Sequence, residues 1–301
     1  MKSARFRVAV ILINFNSSEH TLRCIASIRA QTASMEAVQI VVVDNASREE
    51  QFQALAHLER ELGVTLVRSC LNTGFSGGNM LGTAHADAEF YYFLNNDCLF
   101  EEDCIGALLA HCDEHPQTVV CSGHQRHEDG RLRLNFSYFP SLFARLLGTG
   151  AARAIWPARY PAKSATYTEA LEVPVLAGCS MFVRAEAFAE IGGFDTTYFL
   201  YSEEEDLARR LTDAGGRLVL VPGAGFVHLG GGSTPDRIEY LREYYISHLH
   251  YLSKYHNGLV VGLHRLLLTV KLLKRSPSLA LFVARGAPMR YSLRHEQQIQ
   301  L

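Results

Sequence analysis

Three unbroken apolar runs, VAVILIN at 8–14, VQIVVVD at 38–44 and FYYFLN at 90–95, each end at a polar residue, with helical spacing between them. A strand with one face in water alternates apolar and polar residues. An unbroken run needs cover on both faces, which a parallel sheet with crossover helices provides. Leu22, Ile25 and Ile28 follow Ser17 and Ser18, either of which can cap a helix. Phe52, Leu55, Leu58 and Leu62 predict a second amphipathic helix, stopped by Gly63 and followed by the short strand VTLVR. The first hundred residues therefore read as a βαβαβ wrap. The opening MKSARFRVAVILINFNSS has the basic start and apolar run of a secretion signal. Its apolar part is short, lacks a small-residue cleavage site and ends in Asn14 and Asn16, so it reads as the first strand.

A chain of 301 residues with 48% apolar content can bury a large core. Its net charge of −2 is uneven, because residues 259–301 hold seven Lys/Arg against one acid and the rest of the chain carries −8. An acidic body excludes a general nucleic-acid binder, which needs a basic face to neutralise phosphate. Seven cysteines without a CxxC pair fit reduced thiols and a cytoplasmic location rather than a disulfide or zinc framework.

Ligands of open α/β sheets bind where the strands end, and Asn14, Asn16, Asp44, Asn45 and Asp97 lie at three successive ends. Asp97, in YYFLNNDCLF, can hold Mg2+ or Mn2+ with phosphate and water oxygens, or can cap a turn. The loop LNTGFSGGNMLG at 71–82 can cradle phosphate. Its glycines miss the G-x-G-x-x-G spacing, which argues against a dinucleotide oxidoreductase. In YSEEEDLARRL, Ser202 and Glu205 predict a capping box on a helix over 203–214. Glu203 and Glu204 adjoin the aromatic FDTTYFLY, at a cleft edge where a carboxylate can act as general base. His228 follows the strand RLVLVP and precedes three glycines with Ser233 and Thr234, which let an imidazole approach a bulky anion. Residues 131–139 alternate as a half-solvated strand, and 140–170 read as a long excursion.

In order and spacing, VAVILINFNS, VVVDNAS, LNTGFSGGNMLG, YYFLNNDCLF, GCSMFVRAEAFAEIGGFDTTYFLYSEEEDLARRL and VHLGGGST resemble the family-two inverting glycosyltransferases, in their rhamnosyltransferase-like branch. The resemblance implies the α/β GT-A fold, a Rossmann-like, mostly parallel sheet flanked by helices, and a nucleotide-diphosphate sugar donor. Asn14, Asn16, Asp44 and Asn45 would serve base and ribose, and Asn72, Gly74, Phe75 and Asn79 would line the nucleotide pocket with Asn95, Asn96 and Gly178. Asp97 matches the last acid of the family's DxD-like metal motif, with Asn95 in place of the first acid, and His228 matches the histidine that completes the metal or diphosphate site. Glu203-Glu204 stands where the family has its acidic pair, the second member being the base. With Glu204 replacing the commoner aspartate, the choice between the two stays open. Asp206 matches a further acid of that motif. The implied reaction is rhamnosyl transfer from dTDP-rhamnose to a glycan or lipid-linked acceptor in bacterial surface polysaccharide assembly. A UDP-sugar hexosyl or galactofuranosyl transferase, and a non-catalytic sugar-nucleotide or glycan-binding module, are the alternatives.

The expected organisation is a catalytic domain over 1–240, with a nucleotide-sugar half at about 1–125 and an acceptor half at about 126–240, then a helical, basic segment over 241–301. Within that segment GLVVGLHRLLLTVKLLKR is too short and too charged to span a bilayer. It suits a helix lying on the inner membrane face, or one packed against the domain or in a homodimer.

Overall fold

A computed structural model describes residues 4–297, apart from 134, 164 and 231–237. The first half alternates as expected: β1 (Phe6–Asn14), α1 (Ser18–Gln31), β2 (Val38–Asn45), α2 (Glu49–Gln53), β3 (Val64–Ser69), α3 (Gly74–Thr83), β4 (Ala88–Asn95), β5 (Cys98–Phe100), α4 (Cys104–Glu114) and β6 (Thr118–Arg126). There follow β7 (Leu132–Arg133), β8 (Phe136–Ser137), α5 (Leu142–Ile155), β9 (Leu171–Glu172), β10 (Val175–Leu176), β11 (Ser180–Arg184), α6 (Ala185–Glu190), α7 (Glu203–Asp213), β12 (Arg217–His228), α8 (Ile238–Tyr255), α9 (Gly258–Leu273) and α10 (Pro277–Ala284).

The main sheet runs β3-β2-β1-β4-β11-β6-β12-β5. Pairing is parallel among β3, β2, β1 and β4, and antiparallel where β11 enters between β4 and β6. β2 is buried along its whole length, as its unbroken apolar run requires. The register sets Asn14 beside Asp44 and Ile13 beside Asn95, so the polar strand ends share one edge of the sheet. Six of the seven cysteines are buried thiols and none is bridged.

Three local expectations are corrected. The amphipathic helix through Phe52 and Leu62 breaks into α2 and a 3-10 turn, Ala56–Arg60, and Leu62 is fully exposed. Only Leu55 and Leu58 of its apolar set are needed to cover the sheet. The single strand over 131–139 divides into β7, an exposed edge ribbon on β6, and β8, which pairs with β10; Leu134 lies outside the described residues. The capping box is not formed. Ser202 occupies the cap position at φ 62 without accepting from the helix, while the Glu205 side chain bonds back to the Ser202 side chain. The excursion at 140–170 is mostly α5, kinked at Gly148. A third apolar cluster joins Tyr198 to α8, α9 and α10. Among the described residues no helix is long and apolar enough to cross a membrane.

Candidate active site

A cavity of about 540 Å3 opens at the carboxyl edge of β1, β2 and β4, within the range of small-ligand sites. Its wall includes Asn16, Asn45, Asn72, Gly74, Phe75, Asn79, Asn95, Asn96, Asp97, Gly178, Glu203 and Glu204, so most of the expected site residues converge on one space.

Asn14 and Asp44 are corrected: both are fully buried beneath the cavity floor. Asn14 donates to the Asp44 carboxylate (2.8 Å) and to Ser47 Oγ (3.0 Å), and Thr21 Oγ1 donates to Asn14 Oδ1 (3.0 Å). Asn96 extends this belt through Ser17 and Thr21, each at 2.8 Å. Side chains alternate along β2, so Asp44 points down while Asn45 meets the opening; Asn16 lies beyond the end of β1, at φ 53, and reaches the cavity wall from that turn. Satisfied in this way, Asn14 and Asp44 fix the strand ends, while Asn16 and Asn45 line the cavity above them.

Asn45 holds the glycine-bearing loop at both ends of its amide, donating to Asn72 Oδ1 and Gly74 O and accepting from Thr73 N, each at 3.0 Å. The Phe75 N–H donates to Phe199 O (2.8 Å), which ties this loop to the segment before α7. Gly74 sits at φ 71, and a Cβ there would lie 2.1 Å from Phe199 O, so no other residue fits.

Asp97 and His228 meet from two strands that the sheet brings together, with His228 Nε2 at 3.1 Å from Asp97 Oδ1. Gln125 Nε2 lies 2.9 Å from His228 Nδ1 and orients the ring. Burial opposes both charges, yet the mutual hydrogen bond outweighs it. Asp97 is held below the ordinary carboxylate range and His228 is pushed up to about 10. The Cys98 thiol completes a trio of donor atoms within 4.8 Å, but burial keeps it protonated and it donates to Cys179 O (3.6 Å). The carboxylate oxygen suits Mg2+ or Mn2+, and the added imidazole nitrogen favours Mn2+ over the harder Mg2+. Two neighbouring ligands of an octahedral ion at ~2.1 Å stand about 3 Å apart, close to the observed spacing. The Asp97–His228 pair thus fits a divalent cation with its remaining positions left to a ligand. Asn95 adds no second charge. Gly230, at φ 58, follows His228 directly after Leu229; Gly231, Gly232, Ser233 and Thr234 lie outside the described residues.

Across the cavity, α7 begins with four acids. Burial and the neighbouring Glu204 push Glu203 well above the ordinary carboxylate range; burial also raises Glu204, and with Glu204's charge takes Glu205 up to about 8. Glu203 is 6% exposed and its Oε2 has no hydrogen-bond partner among the described residues, whereas Glu204 is half-buried. Tyr201 and Ser202 precede them at φ 70 and 62. Two successive left-handed residues without glycine cost on the order of 1–3 kcal/mol each, and this turn aims the start of α7 at the cavity. Gly178 faces the pair, its Cβ position 3.8 Å from Glu204 Cβ and 4.0 Å from Glu203 Oε1.

Asp206, expected among the catalytic acids, is corrected to a structural role. It is fully buried and bound by Arg210 Nε (2.7 Å), Lys254 Nζ (2.7 Å) and Tyr255 Oη (2.8 Å), which fasten α7 to α8. Gln125 was missed, although a polar residue ending the apolar run of β6 is the signal used for Asp97. Tyr240, Leu293 and Gln297 also line the cavity; they arrive through the fold of the C-terminal segment and leave no local signal.

The model of the family described as "Glycosyl transferase family 2" matches residues 9–192. The N-acetylglucosaminyl-diphospho-decaprenol L-rhamnosyltransferase of Mycobacterium tuberculosis (strain CDC 1551 / Oshkosh) is 29% identical over 270 residues, covering 83% of this chain and 85% of that protein. The mannosyltransferase PcManGT from Pyrobaculum calidifontis, solved with GDP-Man and Mn2+, superposes with a TM-score of 0.56 at 18% identity, covering 94% of this chain and 74% of that one. GalNAc-T7, solved with UDP, GalNAc and Mn2+, gives a TM-score of 0.58 at 17% identity; 84% of this chain is covered, but it spans only 51% of that structure. These two likenesses establish the GT-A fold, and with a family model matching more than half of its length the chain belongs to glycosyl transferase family 2, as a glycosyltransferase.

Proposed function

We propose that this glycosyltransferase moves L-rhamnose from dTDP-rhamnose, with inversion at the anomeric carbon, onto a hydroxyl of a lipid-linked saccharide. The observation that carries the reaction type is that Asp97, with His228 paired behind it at 3.1 Å, and the Glu203–Glu204 pair come to one cavity from different elements. The rhamnosyl and lipid-linked assignments rest on the similar mycobacterial protein's name.

Asn16, Asn45 and the 72–79 loop would receive the nucleotide, with its diphosphate toward Asp97 and His228. A divalent cation held by these two residues would supply positive charge against the leaving diphosphate. To hold the cation His228 must be the neutral imidazole, so cation binding displaces the proton that its hydrogen bond to Asp97 retains. Glu204 takes the acceptor hydroxyl's proton as the acceptor oxygen bonds to the anomeric carbon and the bond to the diphosphate oxygen breaks. Glu203, kept protonated by burial and by its neighbour, leaves Glu204 as the ionised member of the pair. The basic α9 would hold the protein at the inner membrane face where such acceptors lie.

A thermal-shift panel of dTDP, UDP and GDP with and without Mn2+ tests the donor side. Stabilisation by dTDP above the others, only with Mn2+, and its loss in Asp97→Asn are expected. Stabilisation independent of metal in the unaltered protein would remove Asp97 from the metal, and preference for UDP would replace the donor.

A further inference from the structure

Outside the candidate active-site cavity, Arg145 of α5 is held in a setting where no described carboxylate pairs with it. Its Nε donates to His264 Nδ1 at 3.0 Å, and its Nη2 lies 3.2 Å from His248 Nε2. Both rings are buried. Burial, and then Arg145 itself, depress them to about 3 and about 4, so they are neutral acceptors. Among the described residues Arg145 makes no ion pair, and the groups facing it are the phenols of Tyr244 and Tyr245. A second guanidinium, the exposed Arg275, also faces Tyr245. A half-buried cation without a carboxylate is costly unless an anion joins it.

The position of this cluster says which anion. Tyr244 stacks on His248 (5.6 Å between centroids) and meets Tyr201 edge-on (5.9 Å), and Tyr201 lines the cavity beside Glu203 and Glu204. The cluster therefore adjoins the proton-accepting side of the site, away from Asp97 and His228. Leu146 and Leu147, next in the chain after Arg145, are 62% and 63% exposed. The helix that supplies His264 presents Leu259, Leu263, Leu266, Val270 and Leu273 to solvent. An anion bound here would come attached to an apolar chain.

We infer that Arg145, positioned by His248 and His264 and assisted by Arg275, binds the diphosphate of an isoprenoid-linked acceptor, with its hydrocarbon tail against the exposed leucines. The inference rests on the lipid-linked reading and names the group by which such an acceptor is recognised.

Calorimetric titration of the dTDP-loaded protein with N-acetylglucosaminyl diphospho-farnesol tests this without requiring turnover, beside farnesyl N-acetylglucosaminide, which lacks the diphosphate. The diphosphate compound should bind at least about tenfold more tightly. Arg275→Gln, at an exposed position, should weaken it about tenfold, the worth of one charge-assisted hydrogen bond, and Arg145→Gln at least as much. Arg145→Lys should restore part of the loss, and the glycoside should be indifferent to all three. An unchanged dTDP-induced thermal shift certifies each fold, and if Arg145→Gln fails that check Arg275→Gln decides. Equal binding of the two compounds, or wild-type affinity in the Arg variants, overturns the subsite even if rhamnosyl transfer proceeds. Loss of binding to phosphatidylglycerol vesicles with acceptor affinity unchanged also overturns it, assigning the arginines to bilayer headgroups. Variant-sensitive binding without turnover from any donor upholds the subsite and overturns the rhamnosyl reading instead.

Discussion

Glu203 and Glu204 are adjacent in sequence, yet the helix start separates their environments: one is enclosed, with an oxygen that has no partner among the described residues, and the other reaches the opening. Glu204→Gln should lower kcat by about 10²–10⁴-fold, the worth of a general base, while dTDP still raises the melting temperature. Glu203→Gln should cost far less, since the native side chain is already neutral; equal losses in steady-state rates would show that the two share the role. The same burial has a consequence for stability. Glu205 ionises near 4.5 when unfolded and at about 8 when folded, so between those values the folded chain binds more protons and stability falls as pH rises, by up to ~1.4 kcal/mol per unit. Above about 8 the loss is complete. Melting temperatures from pH 5 to 8 should therefore decline, and Glu205→Gln should flatten part of that decline. A slope unchanged by the substitution would mean that Glu205 is ionised in the native protein.

At the scale of elements, the site is assembled by two tethers: the Phe75 N–H bond to Phe199 O, which joins the glycine-bearing loop to the segment before α7, and the Asp206 cluster, which fastens α7 to α8. Gly74→Ala strikes the first. The new methyl would collide with Phe199 O and oppose φ 71, a conformation that alone costs an alanine about 1–2 kcal/mol. Loss of at least about 2 kcal/mol in denaturant unfolding, with weaker dTDP binding, is expected. A Gly74→Ala protein as stable as wild type would mean that the loop moves freely from Phe199. The strand ends were legible because solvent-facing polarity interrupts an apolar run in the sequence itself. Which of them line the cavity was not, because Asp44 and Asn45 differ only in the face that pleating gives them, and Asn14 and Asn16 only in the turn that follows β1. Asp206 resembled its acidic neighbours for a similar reason: its partners Lys254 and Tyr255 lie almost fifty residues on, beyond any local pattern.

For the whole molecule, the sheet order followed from local rules up to β4, whereas the entry of β11 between β4 and β6 depends on contacts nearly ninety residues apart, such as Met181 opposite Phe93. The C-terminal segment combines both cases. Its helical and basic character was expected from the sequence, but the return of Leu293 and Gln297 to the cavity was not. The exposed residues of α9 recur at intervals of four and three, a spacing shared by coiled-coil seams and membrane-surface helices. Charge separates the two. Residues 258–285 contain Arg265, Lys271, Lys274, Arg275 and Arg285 and no acid, so two copies would set like charges together, while an anionic bilayer gains about 1 kcal/mol per basic residue near its surface. The protein should sediment with phosphatidylglycerol vesicles, far less with phosphatidylcholine, and less as salt shortens the screening length. Leu263→Glu with Leu266→Glu, at positions that already face water, should abolish sedimentation without lowering the melting temperature. A dimer in equilibrium ultracentrifugation that these substitutions dissociate, with no vesicle binding by the unaltered protein, would give the face to a second copy instead.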